Sequence, residues 1–166
     1  MPFNVLPLFG AALIPMIVGA IWYNPKVFGT LWMRLTGKTE EDLAGDNMFV
    51  ILGLSYILGL FLAFAIAGLT NHQMGLMQLF ATHPDFQVSG TEVNNLYNSV
   101  MDQFGSRHRT FGHGAFHGVL GAIIFALPVL GINSLFERRG WKYIALHVGY
   151  WMITFALIGG VVCKFL

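Results

Sequence analysis

Charged residues are scarce in this chain and make up only 10% of its 166 residues. A soluble domain of average composition carries roughly 25% charged residues, so this chain has too few to cover a water-facing surface. Hydrophobic residues reach 55%, and the mean hydropathy is +0.64. We therefore expect the lipid bilayer to cover much of the protein.

Three further scarcities exclude classes of function. The net charge is only +1, and no Lys/Arg cluster is dense enough to follow a phosphate track, which excludes nucleic acid as a partner. Cys163 is the only cysteine, so an intrachain disulfide and any Cys-x-x-Cys site are excluded. The opening residues MPFNVLPLFG hold no Lys or Arg and so lack the basic region of a signal peptide; we expect them to be retained.

Long apolar runs, in contrast, are abundant. A bilayer crossing needs roughly 20 mostly apolar residues, and four segments qualify: 5–23, 48–69, 114–132 and 143–165. Helices are predicted because an open sheet would leave backbone groups unpaired in lipid. The sequence therefore predicts an all-α membrane protein, a single domain over 1–166 with four transmembrane helices in a bundle.

Small residues recur at every fourth position in the second and third segments. The two rows are Ser55, Gly59, Ala63, Ala67 and Gly114, Gly118, Ala122, Ala126. Each row lies along one helix face and lets a neighbouring backbone approach closely. We predict that the second and third helices pack against each other through these rows.

The first loop, 24–47, has the pattern of a helix lying in the membrane interface. Asn24 suits an N-cap and Pro25 the first helical position. The apolar residues that follow share one face: Val27, Phe28, Leu31, Trp32 and Leu35. Thr39, followed by three acidic residues, predicts a second capped turn.

The second loop, 70–112, is the only long extramembrane segment and is predicted to contain an amphipathic helix. Ser89 and Glu92 have capping-box spacing, apolar residues recur at helical spacing as far as Phe104, and Gly105 is a natural stop. The polar face of this predicted helix has no Lys or Arg that would bind anionic lipid headgroups. We expect this helix to pack, like a lid, on the bundle or on a partner.

The distribution of Lys and Arg predicts the orientation. The first and third loops hold six of these residues and the other side holds three. By the positive-inside rule, both termini and loop 70–112 are then extracytoplasmic.

Two stretches resemble a known family of small bacterial membrane proteins. GAIWYNPKVFGTLWMRLTGKTEEDL contains a WY-x-P-x-x-FG-x-x-W core, and NSLFERRGWKYIALHVGYWMITFALIGG contains N-x-LFE-x-R and GY elements. The matching residues are Trp22, Tyr23, Pro25, Phe28, Gly29, Trp32, Asn133, Leu135, Phe136, Glu137, Arg139, Gly149 and Tyr150. The resemblance is to the domain of unknown function 1761 family. It implies a four-helix, multi-pass protein of the bacterial inner membrane and implies no reaction.

Histidines are the main candidates for chemistry. His113 and His117 share one helix face at the start of the third segment, with spacing that suits a metal-ligand pair. Two ligands are insufficient, so we interpret the pair as a structural helix end that binds no ion tightly. An outward-facing metal or cofactor site stays open as an alternative, because His72, His83, His108 and Cys163 lie on the same side. His147 is predicted to lie roughly 16 Å deeper and cannot join them.

No catalytic group is visible in the four segments. They contain no Asp, Glu or Arg, which argues against a secondary transporter, and no nucleophile stands beside a base. The sequence therefore predicts a non-enzymatic membrane protein without a cofactor. It is expected to form homo-oligomers or to join another membrane protein in an assembly, with metal or cofactor binding as the alternative function.

Overall fold

The computed structural model describes residues 4–45 and 47–166, and within these ranges every regular element is a helix, as predicted. Residues 1–3 of the N-terminal segment and residue 46 of the first loop lie outside the described residues. The α-helices are α1 (Leu6–Ala11), α2 (Ile14–Trp22), α3 (Thr30–Thr36), α4 (Glu40–Leu43), α5 (Met48–Thr70), α6 (His72–Phe80), α7 (Glu92–Phe104), α8 (Phe111–Gly121), α9 (Leu127–Phe136) and α10 (Trp141–Phe165). Two π-helical segments, Pro25–Gly29 and Ala122–Ala126, precede α3 and join α8 to α9.

Three continuous helices are long and apolar enough to cross a membrane: α5, the run from α8 to α9 (Phe111–Phe136), and α10. They extend the predicted segments by only a few residues. Leu6–Trp22 passes the same test together with Pro25–Thr36, across a bend of 53°. Pro15 in the first turn of α2 explains the break between α1 and α2, because proline lacks the N–H that would continue the preceding helix. The fold thus has three helices of membrane-spanning length, or four when the bent pair counts as one.

The backbones of α8 and α10 meet at two glycines. A Cβ atom at Gly114 would collide with the backbone of Gly159, and one at Gly118 would collide with the carbonyl group of Phe155. The prediction that the second and third helices pack against each other through these rows is confirmed only in part, because α5 and α8 are in contact and Ala63, Ala67 and Ala122 lie in one buried cluster. The glycines of the rows meet other helices: Gly114 and Gly118 pack on α10, and Gly59 packs on the end of α1. The spacing of small residues marks a flat face but does not say which helix covers it.

Helix α10 lies at the centre of the molecule. It contacts α1, α2, α5, α8 and α9, and its Ile158 and Val162 are fully buried. Many apolar side chains of α5 instead point outward, with Phe49 89% exposed. Such an outward apolar face is what a lipid-covered helix requires.

The first loop forms its capped turns as predicted. The Asn24 side chain accepts a hydrogen bond from the backbone N–H of Lys26, and Thr39 and Asp42 form a reciprocal capping box. The Asp42 carboxylate accepts hydrogen bonds from the backbone N–H and from the hydroxyl group of Thr39, and these two bonds lower the pKa of Asp42. The loop is therefore helical in both of its predicted parts.

The second loop contains one helix more than predicted. Helix α6 begins directly after α5 and was not expected. Helix α7 is present, but Thr91 caps it by accepting from the backbone N–H of Asn94, and Ser89 does not. Helix α7 packs on α6, where the tilted rings of Tyr97 and Phe80 have their centroids 5.7 Å apart. Helix α6 thus places the start of the loop beside the first turns of α8.

Candidate metal centre

The first turns of α8 present His113 and His117 together. Thr110 caps this helix by accepting a hydrogen bond from the backbone N–H of His113 at 3.2 Å. The spacing of four residues puts both imidazoles on one face, and their ring centroids lie 4.4 Å apart. The structure therefore brings this predicted pair together.

His72 joins this pair from α6. The preceding residue, Asn71, is 1% exposed, and its side-chain N–H donates to the carbonyl oxygen of Val162 on α10 at 3.2 Å. This anchor fixes the junction between α5 and α6, where His72 is the first residue of α6. The Nε2 atoms of His72 and His113 lie 3.1 Å apart. One ring nitrogen from each of His72, His113 and His117 lies within 4.8 Å of the other two.

This spacing is close to what a tetrahedral ion requires. Zinc–nitrogen bonds of about 2.0–2.1 Å place two ligand atoms of a tetrahedral site roughly 3.3–3.4 Å apart. The His72–His113 pair is already near this value, and a ring nitrogen of His117 lies within 4.8 Å of both. His72 is exposed and the other two are partly buried, so an ion can arrive from water.

The electrostatics of the site favour ions that bond strongly to nitrogen. No carboxylate belongs to this group within the described residues, so the ligand set is neutral. The N-terminal ends of α6 and α8 carry partial positive charge, which disfavours a cation held by charge alone. Calcium and magnesium need oxygen ligands, whereas imidazole suits zinc, copper and nickel.

A fourth histidine, His108, stands next to this group. Its ring stacks on that of His113 at 4.9 Å and 22°, and lies 6.1 Å from the ring of His72. Its backbone has a φ of 64°, a left-handed conformation that histidine adopts more readily than most residues. A cavity of about 250 Å³ beside α7 is lined by both His72 and His108. His108 is therefore the imidazole that lies beside the cluster of three.

The remaining candidates lie elsewhere. The Cys163 thiol is buried and donates to the carbonyl oxygens of Thr70 and His108, at 3.5 and 3.4 Å. His83 accepts from the backbone N–H of Asp85 in the loop. His147 pairs with Tyr23 near the opposite end of α10 from Cys163, and it is not part of the histidine cluster found among the described residues.

The sequence placed His72 only on the same side of the membrane as His113, because no helix was predicted at the start of the second loop. One signal was available: His72 follows the second apolar segment directly, and His113 precedes the third. Both residues therefore lie at the same end of neighbouring helices. What the sequence did not show is that α6 turns His72 toward α8.

Fold and site together define a class: an all-helical protein with helices of membrane-spanning length and a histidine cluster at one end. A family model described as "Protein of unknown function (DUF1761)" matches residues 6–163, nearly the whole chain. The chain belongs to this family, which confirms the resemblance seen in the first loop and α10. No curated protein and no solved structure matches the chain.

Proposed function

We propose that this protein is an integral membrane protein that binds one zinc or copper ion through His72, His113 and His117. The observation that carries the proposal is the convergence of three imidazole nitrogens within 4.8 Å. These residues come from two helices, α6 and α8, and His72 is 41 positions away from His113 in the chain. Local sequence alone does not produce such a convergence.

A purely structural role leaves the cluster poorly satisfied. In the metal-free protein, the two Nε2 atoms of His72 and His113 share one hydrogen bond, so one ring donates and the other accepts. The three imidazoles of the cluster, with the His108 ring stacked on that of His113, also cannot all gain protons without repulsion between like charges. A metal ion replaces the shared proton and binds three lone pairs at once. This balance favours metal binding over the interpretation of His113 and His117 as a helix end.

Three protein ligands leave one coordination position open. Zinc sites that react or exchange ligands have this form, whereas structural zinc sites use four protein ligands. The open position lies toward His108 and the small cavity beside α7, so water or His108 can occupy it. We infer a site that takes up and releases its ion, and that fastens α6 to α8 while the ion is bound.

The predicted orientation determines the side of the membrane from which the site would acquire its ion. The histidine cluster lies at the end of the helices opposite the Lys/Arg-rich first and third loops. With those loops cytoplasmic, the ion would be acquired from the extracytoplasmic side of the membrane. The bacterial inner membrane, implied by the family resemblance, would be the location.

Self-association, the function that the sequence favours, has less support. It depended on the small-residue rows, and the structure uses Gly114 and Gly118 inside the chain, against α10. Homo-oligomers and a larger assembly stay predictions that need other surfaces. The outward apolar face of α5 is explained by lipid.

The proposal is tested by metal content after purification in mild detergent and dialysis against micromolar zinc. We expect one equivalent of zinc in the native protein and less than one tenth of that in His113→Ala and in His72→Ala. His83→Ala, outside the cluster, is the matched control and should keep the full equivalent. Retention of zinc by both cluster variants, or its absence from the native protein, would refute the proposal.

A further inference from the structure

A second cavity lies at the other end of the molecule, between α2, α5 and α10. Its volume is about 950 Å³, at the upper end of the range of roughly 300–1,000 Å³ for small-molecule sites. Helix α1 packs tightly on α5 where Gly59 meets the backbone of Ala12. The cavity extends from Gly59 toward Tyr23, between α2 and α5, and residues of α10 form its floor.

The lining of the cavity is mostly apolar, and its unused hydrogen-bonding groups lie at a similar depth along the helix axes. Ser55 is the eighth residue of α5 and His147 the seventh of α10. Both helices start at the same end of the molecule, so both residues lie about 10 Å along their helix axes. Both line the cavity, together with Tyr23. The Ser55 hydroxyl has no hydrogen-bond partner in the part of the chain that the structure describes.

The Tyr23–His147 pair has an unused hydrogen-bonding group in either protonation arrangement. The Tyr23 hydroxyl lies 2.8 Å from Nδ1 of His147, and Nε2 of His147 is buried without a partner among the described residues. If Nδ1 carries the proton, the Tyr23 O–H is free to donate into the cavity. If Nε2 carries it, a buried N–H has no acceptor, which costs about 1–3 kcal/mol. In the first arrangement Nε2 remains a buried acceptor with no donor among the described residues, so neither arrangement satisfies the pair; the first offers the Tyr23 O–H to a ligand.

Aromatic rings surround this polar level. Tyr23, Trp32, Tyr150 and Trp151 all line the cavity, and the rings of Tyr23 and Tyr150 lie 5.3 Å apart. Tyr150 is already satisfied, because its hydroxyl donates to the carbonyl oxygen of Pro15 at 2.9 Å. These rings offer faces and edges to a flat ligand ring. Among residues 4–45 and 47–166, no Lys or Arg lines the cavity, so no described cation there attracts a phosphate headgroup.

We propose that this cavity binds a lipid-soluble quinone. The two quinone carbonyl oxygens accept hydrogen bonds from Tyr23 and Ser55 on facing walls, and the ring packs among the aromatic side chains. The apolar tail extends along the lining toward Gly59 and Leu62. A plain acyl chain fills the same space but leaves both hydroxyl groups unused. The proposal does not depend on the metal site.

The test is a titration of the detergent-solubilised protein with decylubiquinone, followed by the quenching of tryptophan fluorescence. Decylbenzene, which has a similar tail and no carbonyl, is the comparison ligand. We expect saturable quenching with decylubiquinone only. Tyr23→Phe and Ser55→Ala should each weaken binding by about 3- to 10-fold, the loss expected for one hydrogen bond.

Tyr56→Phe is the matched control variant, because this neighbouring tyrosine donates to the carbonyl oxygen of Phe9 and does not line the cavity. Its affinity should be unchanged. If Tyr23→Phe fails to fold, Ser55→Ala decides the question alone. Binding of decylbenzene with affinity equal to that of decylubiquinone would overturn the proposal and identify the cavity as an acyl-chain site. Unchanged affinity in Ser55→Ala would overturn the pairing of the two carbonyl groups.

Discussion

The Nε2 atoms of His72 and His113 lie 3.1 Å apart, although His72 is the first residue of α6 and His113 is the third residue of α8, 41 positions further along the chain. His117 completes the group from the next turn of α8. This relationship ties the second loop to the helices of membrane-spanning length, and an ion bound there would strengthen the tie.

Metal affinity should fall steeply with acid, because all three ligands must be unprotonated. We expect zinc affinity to fall between pH 7.5 and pH 5.5, and the fall to steepen toward a dependence on three protons at the acid end. Competition with a zinc indicator at several pH values measures this slope. A dependence on one proton alone would show that a single histidine holds the ion.

Asn71→Ala should destabilise the protein and weaken metal binding together. The substitution removes the hydrogen bond to the carbonyl oxygen of Val162 and frees the start of α6, at a cost of about 0.5–1.5 kcal/mol. Thermal unfolding with and without zinc measures both effects. Asn98→Ala, on the exposed face of α7, is the control and should change neither. Normal zinc affinity in Asn71→Ala would separate the anchor from the site.

Gly118→Ala should disturb the packing of α8 on α10. The added Cβ would collide with the carbonyl group of Phe155 and push the helices apart, which typically costs about 1–3 kcal/mol in a packed interior. Gly131→Ala, with open space around its Cβ position on α9, is the matched control. It should be neutral or slightly stabilising. Equal stability of the two variants in detergent unfolding would contradict this packing.

The same residues show how far the sequence alone leads. The length of the apolar segments predicted the helices of membrane-spanning length, and the spacing of small residues marked Gly118 as a packing residue. Both properties can be read from local sequence. The partner of Gly118 was mistaken, since the choice of α10 depends on the complementary backbone at Phe155. His72 was undervalued for a similar reason. The position of His72 depends on Asn71, whose hydrogen bond to the carbonyl oxygen of Val162 joins residues 91 positions apart.

The orientation can be tested by cysteine labelling in intact cells, in a Cys163→Ser background. We expect Asn95→Cys to react with an impermeant thiol reagent and Gly140→Cys to be protected, because the first and third loops carry six of the nine Lys and Arg residues. Both variants should react after the membrane is opened. The reverse pattern in intact cells would place the histidine cluster on the cytoplasmic side.

The central claim is that three imidazoles of this chain bind one metal ion. The most direct test is the X-ray absorption spectrum of the zinc-loaded protein at the zinc edge. We predict a shell of three imidazole nitrogens at about 2.0–2.1 Å, with a fourth light-atom ligand from water or His108. A spectrum without imidazole scattering, or one dominated by oxygen ligands at the surface, would contradict the metal centre.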